Sequence, residues 1–273
     1  MERPAWAPQG IDLNVPSVSR MYDYYLGGSH NFEVDRETAR QAIRAWPGLP
    51  KIMQANRAFM RRAIRFAVQE GITQFLDIGS GIPTFGNVHE VAHALDRGAR
   101  VVYVDNDPVA VAHSRAVLEG DERVAIVSAD FRSPQDILGS PETENLLDLD
   151  RPVVLMLVAL LHFIEDRDEP RKCVAELARR LAPGSLLVLS HGSAEGGPPR
   201  DGGAALQEVY RAASAPLVIR SAAEIAQFFE EFEMVDPGLV ALPRWRPDST
   251  TEYEDPVVFS GFAGVGRKAG LAE

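Results

Sequence analysis

Phe75-Leu-Asp-Ile-Gly-Ser-Gly-Ile-Pro-Thr84 is the stretch that decides the fold. A short apolar run ends in an acid, glycines follow at 79 and 81, and an amphipathic segment runs from about Asn87 to Arg97. A buried parallel strand that turns tightly into a helix has this order. Glycine in the turn lets backbone N–H groups approach a ligand with no Cβ in the way. The stretch therefore points to a ligand containing adenosine, bound over the end of the first strand.

Outward from it, apolar strands alternate with helical patterns. The spacing predicts strands at 74–78, 100–105, 123–128, 152–159, 185–190, 232–240 and 256–265. It predicts helices at 87–97, 108–119, 134–147, 168–181, 203–214 and 221–231, the last opened by a Ser221/Glu224 capping box. The expected fold class is α/β: a Rossmann-like, seven-stranded, mostly parallel sheet covered on both faces. No crossover helix fits between the last two strands, so they are expected as antiparallel neighbours at one edge. The loop between them, 242–248, reads as long and polar.

Upstream the pattern is helical. Residues 1–11 read as a flexible tail and 12–72 as an N-terminal helical lid on a domain spanning 73–273. A short helix ends at Gly27-Gly28, a second is capped by Asp35 and stopped by Pro47-Gly48, and a third runs from about Pro50 to Gly71. Ile52, Ala55, Phe59, Ala63 and Phe66 recur at helical spacing on that third helix, so one of its faces is expected to be buried.

Composition narrows the function classes. The chain has 273 residues and a formal charge of −11, which argues against a general nucleic-acid binder, because phosphate affinity rests on Lys and Arg. The first 72 residues carry ten Lys/Arg against seven Asp/Glu, near +3, which leaves near −14 for the remainder. Those arginines read either as a basic unit docked on an acidic domain or as groups that orient an anionic substrate. The longest apolar run, Val153–Ile164, is too short to span a bilayer, so no membrane partner is expected. The start lacks a secretory pattern. The single cysteine, Cys173, cannot form an intrachain disulfide, and a cytoplasmic location is expected.

Three acids are placed at the ends of the first three strands: Asp77, Asp105 and Asp130. Ligands of open α/β sheets bind there. A carboxylate after the second strand suits a ribose diol, one after the third an exocyclic amine, and one beside the glycine loop an ammonium. A dinucleotide pyrophosphate would be repelled by Asp77, and Thr84 stands where the dinucleotide fingerprint wants glycine or alanine. S-adenosylmethionine has no phosphate and carries both a sulfonium and an amino-acid head, so it suits the acids better.

At Leu76-Asp-Ile-Gly-Ser-Gly81, Asp105 and Asp130-Phe131 the sequence resembles the class I S-adenosylmethionine-dependent methyltransferases, roughly from Thr73 onward. Pro83 departs from their frequent third glycine. A narrower resemblance rests on Asp12-Leu-Asn-Val-Pro-Ser-Val-Ser-Arg-Met-Tyr-Asp-Tyr-Tyr-Leu-Gly-Gly28, Asn31-Phe32, Asp35-Arg36 and Leu157–Ile164. It is to a bacterial family of S-adenosyl methyltransferases long carried as a domain of unknown function. The resemblance implies S-adenosylmethionine as cofactor and leaves the acceptor open. Candidate cofactor residues are Asp77, Gly79, Ser80, Gly81, Asp105, Asn106, Asp130 and Phe131. The lid adds Tyr22, whose ring face suits a cation, and Arg20, which would hold either the lid or the cofactor carboxylate.

For methyl transfer to O or N of a small molecule, His162 after the fourth strand is the first candidate base. His191 after the fifth is the second, and His30 a third. No metal-ligand spacing is present. Residues 191–203 read as a mobile loop beside the acceptor. Two other classes stay open: a non-catalytic sensor or scaffold that binds S-adenosylmethionine, and a nicotinamide-dependent oxidoreductase. The oligomeric state is not legible.

Overall fold

The structure, a computed structural model, describes residues 8–9, 11–84, 86–195, 200–248 and 261–270. Most of the expected tail, residues 196–199 of the 191–203 loop and the first half of the last expected strand lie outside these residues.

Three helices come first: α1 (Val18–Tyr25), α2 (Glu33–Ala45) and α3 (Leu49–Gln69). Asp35 lies inside the first turn of α2 and not at its cap. From there its carboxylate accepts the Phe32 and Ser17 N–H groups at 2.7 and 2.9 Å and pairs with Arg20 at 2.8 Å. One buried acid thus starts α2 and ties α1 to it.

The sheet follows: β1 (Gln74–Ile78), β2 (Arg100–Asp105), β3 (Val124–Ser128), β4 (Val154–Val158), β5 (Leu186–His191), β6 (Phe232–Met234), β7 (Val240–Ala241) and β8 (Phe262–Lys268). Its order is β3-β2-β1-β4-β5-β8-β6, with β7 also on β8. The first five strands pair in parallel, with Leu76 opposite Val102 and Leu155. β8 runs antiparallel to β5, β6 and β7. The sheet therefore has eight strands and not seven, and the antiparallel strand is inserted beside β5, leaving β6 and β7 outermost. The expected 232–240 strand breaks because Pro237 offers no N–H and Gly238 turns the chain at φ +85°.

The crossover helices are α4 (Val88–Leu95), α5 (Pro108–Leu118), α6 (Pro134–Leu138), α7 (Pro141–Leu146), α8 (Pro170–Arg180), α9 (Arg200–Tyr210) and α10 (Ala222–Ala226). The expected 134–147 helix is two helices. Ser140 caps the second by accepting the Thr143 N–H, and Pro141 sits in its first turn. Residues 200–203, expected as loop, start α9.

Strand side chains alternate between two apolar cores. Phe75, Val101, Met156 and Val188 face the core that also holds Met21, Phe59 and Ala63 of the N-terminal helices. Leu76, Val102, Leu155 and Leu187 face the core that holds Val174 and Leu177 of α8. The expected polar loop 242–248 belongs partly to the first core. Trp245 is fully buried, edge-on to Phe59 and Phe66, and Arg62 donates to the Trp245 and Leu242 carbonyls. No helix of the described residues is long and apolar enough to cross a membrane.

Candidate functional site

The carboxyl ends of β1 to β4 open into one cleft of about 580 Å³. All three rim acids line it, as do Gly79, Ser80, Gly81, Asn106 and Phe131. Tyr22 and Arg20 roof it from α1. The ten candidate cofactor residues thus come together on one cavity.

The β1–α4 turn is built as the sequence requires. Gly79 and Gly81 have φ of +72° and +68°, which L side chains adopt at a cost. A Cβ on Gly79 would lie 2.6 Å from Leu160 Cδ1, so the turn also packs closely on the segment after β4. Asp105 Oδ2 accepts the Gly81 N–H at 2.7 Å, and its Oδ1 accepts the Asp107 N–H at 2.8 Å. The second acid thereby holds the glycine turn open.

The acids differ in charge state for physical reasons. Burial pushes the Asp77 carboxyl up to about 7, with Arg57 lowering it and Asp105 raising it. Among the described residues nothing hydrogen-bonds to Asp77. Burial pushes Asp105 up to about 6, against its backbone hydrogen bonds. Asp130 is held down to about 2, chiefly by its hydrogen bonds with Arg132, and accepts from Asn106 Nδ2 at 2.9 Å. Ser80 Oγ is buried with no partner among the described residues. Asp77 faces the cleft with no hydrogen bond from the described residues, and a ligand ammonium there would supply the partner it lacks.

Arg20 is engaged elsewhere. Its Nε donates to Asp35 and its Nη2 to the Val15 carbonyl at 2.7 Å. Ser17 Oγ hydrogen-bonds Asp107, and the Ser214 N–H donates to the Pro16 carbonyl at 2.7 Å. These contacts clasp α1 over the cleft. Sequence reading missed Arg57 of α3, which lines the cleft, acts electrostatically on Asp77 and Tyr22, and donates to the Gly86 carbonyl. The apolar period of α3 gave no sign that an arginine on its other face would line the cleft.

A second, smaller chamber of about 80 Å³ opens behind the cleft. The two share Val18, Tyr22, Asn56, Ala159 and Phe163 as common wall. His162 and His191 line the chamber, with ring centroids 5.4 Å apart. His191 is spent structurally. Its Nδ1 bonds the Gly192 carbonyl at 2.6 Å, so that nitrogen carries the proton, and Arg220 donates to its Nε2 at 2.9 Å. Burial holds it down to about 4, so it is neutral with no lone pair to offer. His162 Nδ1 accepts the Gly192 N–H at 3.2 Å, which leaves the ring proton on Nε2. Burial, then His191 and Arg220, hold its pKa well below the usual histidine value. The geometry thus makes His162 a donor and not the expected base. His30 lies against His113 with the rings tilted at 53°, away from the chamber, its backbone N–H on Asp23 at 2.9 Å. Among the described residues no His, Cys, Asp and Glu group is arranged to hold a metal ion.

Of the arginines of residues 12–72, Arg20 and Arg57 line the cleft. Arg36, Arg40 and Arg44 pair with Glu33 and Glu37 on the exposed side of α2, and Arg65 pairs with Asp248.

A family model described as S-adenosyl methyltransferase matches residues 4–269. A DUF574-family protein of Streptomyces avermitilis MA-4680 is 39% identical, with a TM-score of 0.89 over 94% of this chain and 99% of that one. A protein of Thermobifida fusca YX, described as a candidate methyltransferase, is 38% identical, with a TM-score of 0.91 over 98% of this chain and 100% of that one. The CMeT domain of the citrinin polyketide synthase, 10% identical with a TM-score of 0.51 over 78% of this chain and 52% of that one, shares the fold alone. No curated protein matches the chain.

Proposed function

The chain belongs to the S-adenosyl methyltransferase family and its cofactor is S-adenosylmethionine, and from that premise we propose that it transfers a methyl group to O or N of a small molecule. When bound, the cofactor supplies an electrophilic methyl on a sulfur that leaves neutral. The protein's task is then to bind, align and exclude water.

The residues present fit this cofactor. Asp77 takes the ammonium and Arg57 the carboxylate of the amino-acid head. Asp105 accepts from the ribose diol, Asp130 and Asn106 meet the adenine edge, and Phe131 supports its plane. Gly79, Ser80 and Gly81 bring backbone and hydroxyl groups close. Tyr22 roofs the sulfonium, and Arg20 holds the roof. Residues 12–72 serve as the lid and 73–273 as the cofactor domain. A bacterial cytoplasm suits the single buried cysteine and the organisms of both close relatives.

One observation carries the reading: a buried carboxylate with no hydrogen-bond partner among the described residues faces a cleft that shares a wall with a small apolar chamber. Such an arrangement suits a cationic donor in front and an acceptor behind. Incubation with methyl-labelled S-adenosylmethionine and metabolite extract tests it. The reading expects a product one methyl heavier. Tight cofactor binding with no labelled product from any extract favours a sensor instead.

A further inference from the structure

The chamber behind the cleft carries no charge: none of its described lining residues is Asp, Glu, Lys or Arg. Its walls are the rings of Trp46, Phe163 and Tyr210 with apolar side chains between them. Phe163 and Tyr210 stack at 5.6 Å. Such walls accept a flat ring, and none of the described lining side chains carries an opposite charge to pair with an ion.

The polar groups at the junction form one directional chain. The Ala159 N–H can only donate, and it donates to Ser190 Oγ at 2.9 Å. Ser190 Oγ donates to Asn56 Oδ1 at 2.6 Å, and Asn56 Nδ2 donates to Tyr22 Oη at 3.0 Å. The Tyr22 hydroxyl therefore accepts from Asn56 and keeps its own proton for a ligand where cleft and chamber meet. Ala159 sits at φ +57°, a conformation uncommon for a residue with a side chain, and this places its N–H at the head of the chain. His162, by its contact with Gly192, is likewise a donor. Burial keeps the Tyr22 hydroxyl protonated and His162 neutral. Among the described residues, then, the chamber offers donors and no base.

We propose that the acceptor is an uncharged aromatic-ring compound that reacts through a nitrogen with its own lone pair, and that the Tyr22 hydroxyl holds it by donating to a second acceptor atom of the compound, not to the reacting nitrogen. This deepens the methyl-transfer reading and rests on it. An alcohol, phenol or thiol needs a base to become nucleophilic. A carboxylate or phenolate brings a charge that the chamber does not compensate. A ring nitrogen needs neither. Its lone pair forms the N–C bond as the C–S bond breaks, and the electrons of that bond stay on sulfur. The positive charge passes to nitrogen, and where the nitrogen bore hydrogen, that proton leaves to water. Asn56 and Ser190 act through Tyr22 and are positioning residues.

Calorimetry on the full chain saturated with S-adenosylhomocysteine tests this at about pH 7.5, with 3-acetylpyridine, benzoate, benzylammonium and toluene as probes. We expect 3-acetylpyridine to bind at least about tenfold tighter than either ion. Tyr22→Phe and Ser190→Ala should each weaken 3-acetylpyridine about 3- to 10-fold, the loss of one hydrogen bond, and leave toluene unchanged. A collapsed chamber would lose toluene as well, which separates a structural role from a hydrogen-bonding one. Equal or tighter binding of benzoate or benzylammonium overturns the proposal, and so does failure of all four probes to bind. In either case the methyl-transfer reading survives if S-adenosylhomocysteine still binds. Failure of S-adenosylhomocysteine itself to bind sinks that reading.

Discussion

At the residue scale, the site turns on two carboxylates that burial holds partly protonated. Asp77 rises from 3.8 to about 7 on folding. Between those values the folded, unliganded chain binds more protons at Asp77 than the unfolded chain does. Stability from this group therefore falls as pH rises from about 4 to about 7. An ammonium ligand prefers the ionised acid, so affinity runs the other way. Asp77→Asn should gain thermal stability relative to the unaltered chain as pH goes from about 5 to about 8, and should bind S-adenosylmethionine more weakly at the upper end. Melting curves and calorimetry across that range check both signs; a constant difference in melting temperature would contradict the raised carboxyl, and unchanged affinity would place Asp77 outside the site. Asp105→Ala should weaken S-adenosylmethionine by about 1.5–3 kcal/mol, the range for hydrogen bonds to a charged group. Unchanged affinity by calorimetry would remove Asp105 from the ribose. The acids were legible because they sit at strand ends. Holding the lid was one of the two roles open to Arg20; the hydrogen bond from Arg220 to His191 was not legible, because Arg220 reaches it across 29 residues of sequence.

At the element scale, the β1–α4 turn is the least forgiving part. Gly79→Ala adds a Cβ against Leu160 and leaves a left-handed backbone. It should cost about 1–2 kcal/mol from the backbone alone, with cofactor affinity falling alongside. Adding Leu160→Ala relieves the contact and not the backbone, so denaturant titration of the double variant should recover only part of the loss. Full recovery would mean the turn is not strained. The 242–248 segment teaches the opposite lesson. Its prolines and arginines read as a polar loop, yet Trp245 is wedged between Phe59 and Phe66 of α3. Trp245→Ala should cost about 3–5 kcal/mol, and a loss under 1 kcal/mol by denaturant titration would contradict the packing. Local chemistry marked the Gly238 break and the Ser140-Pro141 start only weakly. Both elements were therefore drawn too long, since apolar period continues across a two-residue turn.

At the scale of the whole molecule, parallel pairing followed from alternation, though strand order did not: buried parallel strands need crossover helices, and only the last strands lacked them. What alternation leaves open is which strand is inserted. β8 pairs with β5 on one side and with β6 and β7 on the other, a pairing set by contacts far apart in sequence. The N-terminal helices share a core with the sheet, so the cap is held by apolar packing as well as by the Arg20–Asp35 clasp. The basic balance of the first 72 residues read either as a docked basic unit or as groups that orient an anionic substrate; Arg36, Arg40 and Arg44 pair on the exposed side of α2, while Arg20 and Arg57 line the cleft.

The central claim is that acids on one rim of the sheet grip the amine, sugar and base of a methyl donor. A crystal structure of the chain with S-adenosylhomocysteine tests it most directly. The account predicts the ammonium within about 3 Å of Asp77, the ribose hydroxyls at Asp105 and the adenine edge at Asp130 or Asn106. A ligand seated elsewhere, or one whose ribose faces away from Asp105, would contradict it.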